Sequence, residues 1–347
     1  MRTGAKPSRD REGAVVDRPA NPLEEPLPYG HGSVSAVCVL LALLSGCSRY
    51  SDFSLPVLNG GSNYSFQFEE HGGPVLERGS AGDVLNPSVV GRDMYYSEWD
   101  GRTWHTAHAR SEDGVAWAKL GRVLSPDSQT WEGSYIAANG SALAVGNAVW
   151  YWFVAGERNR PRIGLARDWR KEARPVLETG PYMSWDEYGV ADPYVLRVGD
   201  FYVMYYLGED RASRQRIGVA RSHDGIQWEK LRTNPVLEVG GSGAFDESGL
   251  GEPAVWAAGG FYWMLYTGRA ADETRRLGLA RSTDGVRWTK LPVVFSGSQA
   301  WDAKVLCDPA VEAGAETRVY FGGGDVARPD ENLNGQIGMG VLKMVAK

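Results

Sequence analysis

Short runs of apolar and aromatic residues recur along the chain, with glycine-containing turns between them. Aromatic and β-branched side chains that alternate over a few residues are typical of β-strands, whereas helices need longer runs with a period near 3.6. The pattern therefore predicts strands. The strongest runs are Met94–Ser97, Val149–Val154, Phe201–Tyr206, Phe261–Tyr266 and Val319–Phe321.

A second pattern has the form strand, Asp-Gly turn, strand. It is clearest in His105–Lys119, Arg216–Lys230 and Arg276–Lys290, each with a Trp three residues after the Gly. Asp-Gly supplies the positive φ of a tight hairpin, and the Trp is expected to pack between neighbouring sheets. Arg162–Arg167 and Gln336–Gly340 are weaker copies, which brings the number of repeats to five.

Upstream of each hairpin lies an aromatic-acid pair and then an acidic residue followed by Pro, or a looser version of that motif. The second members of the motif are Asn86, Asn139, Asp192, Glu252 and Asp308, spaced by 53, 53, 60 and 56 residues. Units of roughly 55 residues with four strands each are typical of propeller blades. We therefore predict an all-β, five-bladed β-propeller with four-stranded antiparallel blades around a central channel. A solenoid of stacked sheets is the alternative.

The N-terminal region has a different character. Val34–Ser45 is apolar but too short to span a bilayer, and it is followed by Leu44-Ser45-Gly46-Cys47, which resembles a bacterial lipobox. We expect residues 1–47 to be an extension and signal peptide ending at a lipidated Cys47. Residues 48–73 would be a tether and a candidate closing strand, and residues 74–347 the propeller. A buried apolar strand is the alternative for the apolar stretch.

This interpretation makes the protein a bacterial cell-envelope lipoprotein, periplasmic or surface-facing. Ser48 after the Cys favours the outer over the inner membrane. The formal net charge is −6 without a run of Lys or Arg, which argues against nucleic-acid binding. His105 and His108 fall on opposite faces of a strand, so we predict no catalytic metal, with a structural cation in the channel as an open alternative. We also expect no cofactor and a monomer.

In a propeller the first strands of the blades ring the channel, so the five spaced residues from Asn86 to Asp308 should meet at its mouth. Carboxyl groups that share a cavity repel one another and lose water, which raises a pKa toward neutrality. Glycoside cleavage needs such a pair, one carboxyl protonated and one ionised. Glu252 is the expected proton donor because the other repeats have the shorter Asp or Asn. The alternative is that acid-Pro pairs only cap the inner strands.

Loops between the second and third strands open on the same face. They carry Arg158, Arg269 and Asp325, which we expect to bind substrate together with Asn86, Asn139 and Asp308. Trp99 and Tyr188 are candidates for stacking on sugar faces, although blade packing accounts for many such aromatics.

Together these motifs resemble the five-bladed glycoside hydrolases of family 43 and their clan relatives in families 32, 62 and 68. The resemblance implies an Asp base or nucleophile on the first blade, an assisting Asp on the third and a general-acid Glu on the fourth. Asp192 in Ala191-Asp192-Pro193 matches the second role and Glu252 in Gly251-Glu252-Pro253 the third. Asn86 departs from the first, since an amide is neither base nor nucleophile.

Three explanations for Asn86 stay open. A neighbouring carboxylate, Asp83, Glu98 or Asp100, takes over as base; the substrate or an added acceptor such as phosphate supplies the nucleophile; or the protein binds glycan without cleaving it. Family 130 phosphorylases also show Asn-Pro on the first blade, but Ala138-Asn139-Gly140 lacks their Asp-Pro-Arg run. We expect a glycoside hydrolase acting on an extracellular or envelope polysaccharide or oligosaccharide. A glycan-binding propeller and a phosphorylase are the alternatives.

Overall fold

A computed structural model of the protein describes residues 49–347, so the predicted signal peptide and Cys47 lie outside the described residues. Over this range every regular element is a strand, which confirms the all-β prediction. No helix long and apolar enough to cross a membrane is found there. The strands are β1 Tyr50–Ser51, β2 Tyr64–Glu70, β3 Asp83–Val90, β4 Asp93–Trp99, β5 Trp104–Arg110, β6 Ala118–Leu124, β7 Ile136–Val145, β8 Ala148–Glu157, β9 Arg160–Arg167, β10 Arg170–Lys171, β11 Gly189–Val198, β12 Phe201–Glu209, β13 Gln215–Ser222, β14 Glu229–Leu231, β15 Gly249–Ala258, β16 Phe261–Arg269, β17 Arg275–Ser282, β18 Thr289–Phe295, β19 Val305–Glu312, β20 Thr317–Gly324 and β21 Gln336–Ala346.

Most strands pair antiparallel with their neighbours in sequence. The groups are β3 to β6, β7 to β10, β11 to β14 and β15 to β18. A fifth group consists of β19, β20 and β21 together with β2, which pairs with β21 so that Tyr64 lies opposite Ala346. A strand from early in the described chain, β2, therefore supplies the outer edge of the C-terminal group, while β1 pairs in parallel with β14 of the third group.

The first strands of these groups contact one another in the cyclic order β3, β7, β11, β15, β19 and back to β3. The second strands are almost fully buried: Tyr205 and Tyr206 in β12 and Trp263 in β16 have no more than 1% exposure. The groups therefore pack face to face around a ring of first strands. This arrangement brings the starts of distant repeats together.

The Asp-Gly hairpins dock the first, third and fourth groups onto their neighbours. In the third group Asp224 accepts the backbone N–H groups of Ile226 and Gln227, and the Trp228 Nε1–H donates to Gly225 O at 3.1 Å. The same Gly225 O accepts the indole N–H of Trp152 from the preceding group at 2.9 Å. The Trp therefore packs between neighbouring sheets, as its spacing predicted.

The aromatic-acid pairs upstream of the first strands are structural. The Asp186 carboxylate is fully buried and lies 2.5 Å from Lys230 Nζ of β14, and it accepts the hydroxyl of Tyr206. Asp246 and Lys290 repeat this ion pair at 2.5 Å in the next group. A buried ion pair of this kind fixes the loop that enters the first strand, because leaving either charge alone is unfavourable.

Candidate functional site

A β-bulge interrupts the first strand of each group at the same place. The bulged residue adopts a left-handed backbone conformation, which costs a non-glycine residue about 1–3 kcal/mol and is concentrated at functional sites. The five residues are Asn86, Asn139, Asp192, Glu252 and Asp308, with φ of 49°, 47°, 47°, 44° and 52°. Each of the five first strands therefore loses some local stability at its bulge, and the bulge sets the direction of a polar side chain.

All five side chains line one cavity of about 230 Å³. The residues after them, among them Pro193 and Pro253, line a smaller cavity of about 40 Å³ that the same five residues also border. The bulged residues therefore stand between two sections of the space enclosed by the first strands. The five positions therefore meet at one cavity, as their spacing in the sequence predicted.

Three carboxyl groups lie side by side in the cavity. Burial, and then the charges of Glu252 and Asp308, raise the pKa of Asp192 well above its ordinary value. Direct interaction with the Glu252 carboxyl group also raises the pKa of Asp192. The Asn139 amide donates to Asp192 Oδ1 at 3.4 Å and favours the ionised form of that carboxyl. The net effect of burial and neighbouring charge favours the protonated form of Asp192.

Asp308 is 6% exposed and sits against the first strand of the ring. Its Oδ2 accepts the backbone N–H of Asn86 at 3.2 Å and the thiol of Cys307 at 3.1 Å. Burial, and then the negative charge of Glu252, raise the pKa of Asp308 to about 7. A carboxylate therefore lies directly beside the backbone of Asn86, although it comes from another strand.

Two hydroxyl groups support the ring from the second strands. Ser97 Oγ accepts the Asn139 N–H and donates to Asn139 Oδ1, both at 2.9 Å. Thr267 Oγ1 accepts the Asp308 N–H at 3.1 Å. Each hydroxyl satisfies a buried group of the next repeat that the bulge has left without a ladder partner.

The arginines of the cavity are already engaged. Arg158 pairs with Asp330 at 2.8 Å and Glu331 at 3.0 Å, and Arg269 pairs with Glu273 at 3.1 Å. The remaining guanidinium, that of Arg275, donates to the backbone carbonyl groups of residues 328 and 329. The lining carries six carboxyl groups against these three guanidinium groups, so its balance is acidic.

Other residues expected at the site lie elsewhere. Asp83 is fully buried and accepts the backbone N–H groups of residues 332, 333 and 335, so it holds a loop and does not line the cavity. Glu98 pairs with Arg122 at 2.7 Å, also away from the cavity lining. The structure therefore does not bring either candidate base to the carboxyl groups it was expected to assist.

The remaining predicted contacts divide in the same way. Asn86, Asn139, Asp308, Arg158 and Arg269 line the cavity. Trp99 is 5% exposed and packs on Trp104, which is blade packing, and Asp325 is exposed and accepts the amide of Asn334. Tyr188 is 45% exposed and lies outside the cavity lining.

Some residues that line the cavity were not predicted from the sequence. Thr267, Gln215 and Arg275 line it, and Gly322 lets Asp308 approach, since Asp308 Oδ2 lies 2.7 Å from where a Cβ on Gly322 would stand. The signal for Thr267 was a hydroxyl in an otherwise apolar run of β16, at the position that Ser97 takes in β4. Within residues 49–347 no group of three or more His, Cys, Asp or Glu has the arrangement of a metal site.

Comparisons with known proteins agree with this fold. The chain resembles solved structures titled "Glycoside hydrolase" (TM-score 0.62, 18% identity, 89% of this chain and 96% of the other) and "Crystal structure of a thermostable family-43 glycoside hydrolase" (TM-score 0.57, 15% identity, 75% and 88%). It also resembles a structure titled "The GH130 family of mannoside phosphorylases contains glycoside hydrolases that target beta-1,2 mannosidic linkages in Candida mannan" (TM-score 0.60, 17% identity, 84% and 96%). At these identities the likeness concerns the fold, which is of the propeller glycoside hydrolase type.

The sequence itself assigns the family. The profile described as "Glycosyl hydrolases family 32 N-terminal domain" matches residues 93–308, and this chain belongs to that family. A relative from Mycobacterium tuberculosis (strain CDC 1551 / Oshkosh), "Uncharacterized protein MT1551", is 30% identical over 228 residues, 60% of this chain and 75% of the relative. The expected resemblance to family 43 and its clan, which includes family 32, is confirmed.

Proposed function

We propose that the protein is a glycosidase in which the five strand groups act as the blades of a five-bladed propeller around the active centre. The observation that carries this proposal is the convergence of Asp192, Glu252 and Asp308 on one cavity. Glycoside cleavage needs a protonated carboxyl to release the leaving group and an ionised one to act on the sugar. The substrate would be a terminal or internal unit of an extracellular or envelope glycan.

Glu252 is the proton donor in this proposal. Asn139 donates to Asp192, and Asn86 and Cys307 donate to Asp308, so the flanking carboxyl groups are the ones supplied with hydrogen bonds that favour the ionised form. Asp192 lines the same cavity beside Glu252 and orients the acid.

Asp308 is the base or nucleophile in this proposal. It replaces the first-blade Asp of the family, whose position is occupied here by Asn86. Its carboxylate touches the Asn86 backbone, so it lies next to the vacated position. Once Glu252 is protonated, its negative charge no longer opposes the ionisation of Asp308. The two residues are therefore complementary in charge during a reaction cycle.

The phosphorylase alternative finds less support. A phosphate acceptor needs cations that are free to bind it, but Arg158 and Arg269 are paired with carboxylates. The acidic balance of the lining also opposes a phosphate dianion. The glycan-binding alternative rests on Asn86 alone.

Aryl glycosides test the assignment. Wild type, Glu252→Gln, Asp308→Asn and Asp192→Asn are compared on furanosides and pyranosides with good and poor leaving groups. Loss of the acid should spare substrates with good leaving groups, whereas loss of the base should abolish turnover of both kinds. The protein is a binding propeller if wild type cleaves none of these substrates but binds a glycan, and if Glu252→Gln and Asp308→Asn bind that glycan with the same affinity as wild type.

We further propose that the protein is a lipoprotein anchored through Cys47 in the bacterial envelope, facing the periplasm or the surface. Labelling with an alkyne analogue of palmitate, with Cys47→Ser as control, tests this. Label that survives in Cys47→Ser contradicts the assignment.

A further inference from the structure

The loops that enter the first strands of the third and fourth groups have the same backbone. Met183 N–H donates to Glu187 Oε2 at 2.8 Å, and Gly243 N–H donates to Glu247 Oε2 at 2.8 Å. Corresponding positions lie 60 residues apart, as do Asp192 and Glu252. One loop is therefore an internal reference for the other.

The two loops differ in the side chains they expose. The third-group loop carries Tyr182, Met183 and Tyr188, which are 74%, 70% and 45% exposed. The fourth-group loop has Ser242, Gly243 and Ser248 at these positions. The fold therefore accepts small and polar residues here, and the three large side chains are not needed to build the loop.

The backbone conformation at Met183 is also unfavourable for a residue with a side chain. Its φ is 69°, and the equivalent Gly243 has a φ of 82°. Glycine adopts this conformation without the steric conflict that a side chain brings. An exposed Met in a strained position suggests that the side chain is kept for what it contacts outside the chain.

The Tyr182 ring is held in place. The Arg211 guanidinium lies 4.5 Å from the ring centre, and Glu187 accepts two hydrogen bonds from Arg211, one of them at 2.6 Å. The fourth group has Ala271 in place of Arg211. The aromatic ring and its support therefore occur together in one repeat and are both missing from the other.

This exposed surface borders the cavity at Tyr188. The Tyr188 N–H donates to the backbone oxygen of Glu209 at 2.9 Å, and Glu209 lines the cavity. Pro161, another lining residue, packs against Gly189. A sugar chain with one unit in the cavity would meet this surface as it leaves.

We propose that Tyr182, Met183 and Tyr188 form a platform that binds further units of a neutral glycan chain, outside the cavity. The inference rests on the proposed function, since it takes the cavity to hold one unit of the same chain. Rings with an apolar face and a polar edge suit the C–H faces of sugars. Arg211 is neutralised by Glu187 and the cavity is acidic, so an uncharged glycan fits better than an anionic one.

Affinity electrophoresis through gels containing inulin, levan, linear arabinan, arabinoxylan or yeast mannan tests the platform. Glu252→Gln serves as the parent so that the polymer is not consumed. Tyr182→Ser combined with Met183→Gly, which copies the fourth-group loop, should weaken retention by about tenfold. Ser242→Ala in the fourth-group loop is the matched control and should leave retention as in the parent.

A purely structural role for these side chains predicts a different result. We expect the Tyr182→Ser/Met183→Gly variant to melt at or above the temperature of the parent, because glycine relieves the strain at position 183. Equal retention of variant and parent overturns the platform, as does a lower melting temperature, or a parent that no polymer retains. Aryl glycoside turnover by wild type is measured in parallel, so the proposed function is tested separately.

Discussion

Asp308→Asn should stabilise the protein at alkaline pH while abolishing activity. Burial and the charge of Glu252 raise the pKa of Asp308 from 3.8 to about 7 in the folded protein. In the unfolded chain the carboxyl returns to its ordinary pKa. The folded state thus binds the proton more tightly, so stability is greatest below pH 4 as far as this group is concerned, and is lost as pH rises toward 7.

The size of the effect follows from the shift. About three pH units at about 1.4 kcal/mol each give an upper value of about 4 kcal/mol above pH 7. Asn carries no charge, and its oxygen can still accept the N–H of Asn86. We therefore expect Asp308→Asn to gain about 2–4 kcal/mol at pH 8, or about 4–8 °C in melting temperature, and to gain nothing at pH 4.

Thermal unfolding at pH 4, 6 and 8 measures this, with Asp200→Asn as the control because Asp200 is an exposed carboxylate in the turn after β11. Asp200→Asn should follow the wild type at all three values. A variant Asp308→Asn that melts at or below the wild-type temperature at pH 8 would show that burial of this carboxylate does not oppose folding, and the reasoning fails.

Three further outcomes concern the fold around the site. Trp228→Ala should lower the free energy of unfolding by about 3–5 kcal/mol in urea titrations, because the buried indole fills the space between two groups; a loss below 1 kcal/mol would contradict its packing role. Lys230→Met should cost about 3–5 kcal/mol in the same titrations by leaving the Asp186 charge buried and unpaired; a loss below 1 kcal/mol would contradict the role of this ion pair. Ser97→Ala should cost about 1–3 kcal/mol and lower kcat on aryl glycosides, since Asn139 N–H loses its acceptor; Ser97→Thr should restore both.

The repeat architecture was predictable because its signals are local. Asp224 and Gly225 fix a turn through hydrogen bonds that span only a few residues, and Trp228 bonds back to the same turn. Such chemistry can be recognised without knowing what lies opposite. The convergence of the bulged residues could be predicted from the symmetry of the repeats. The left-handed backbone at each of them could not, because no residue type at these positions indicates it.

The position of the base was not predictable in the same way. Asp83 and Glu98 were expected to assist the cavity carboxyl groups because they are close to Asn86 in sequence. Each has a structural partner instead: Asp83 accepts N–H groups from residues some 250 positions away, and Glu98 pairs with Arg122. Asp308 is 222 positions from Asn86 and bonds to its backbone. Closure of the ring makes the last repeat the neighbour of the first, and sequence distance then misleads.

Repeats that share a backbone also separate structure from function. What the third and fourth groups have in common, such as the Asp186–Lys230 and Asp246–Lys290 pairs, maintains the fold. What differs between them at equivalent positions, Asp192 against Glu252 in the cavity and Met183 against Gly243 beside it, is free of that requirement. A Met at positive φ where the sister loop has Gly cannot be explained by the fold, so it is at such differences that ligand contacts are to be sought.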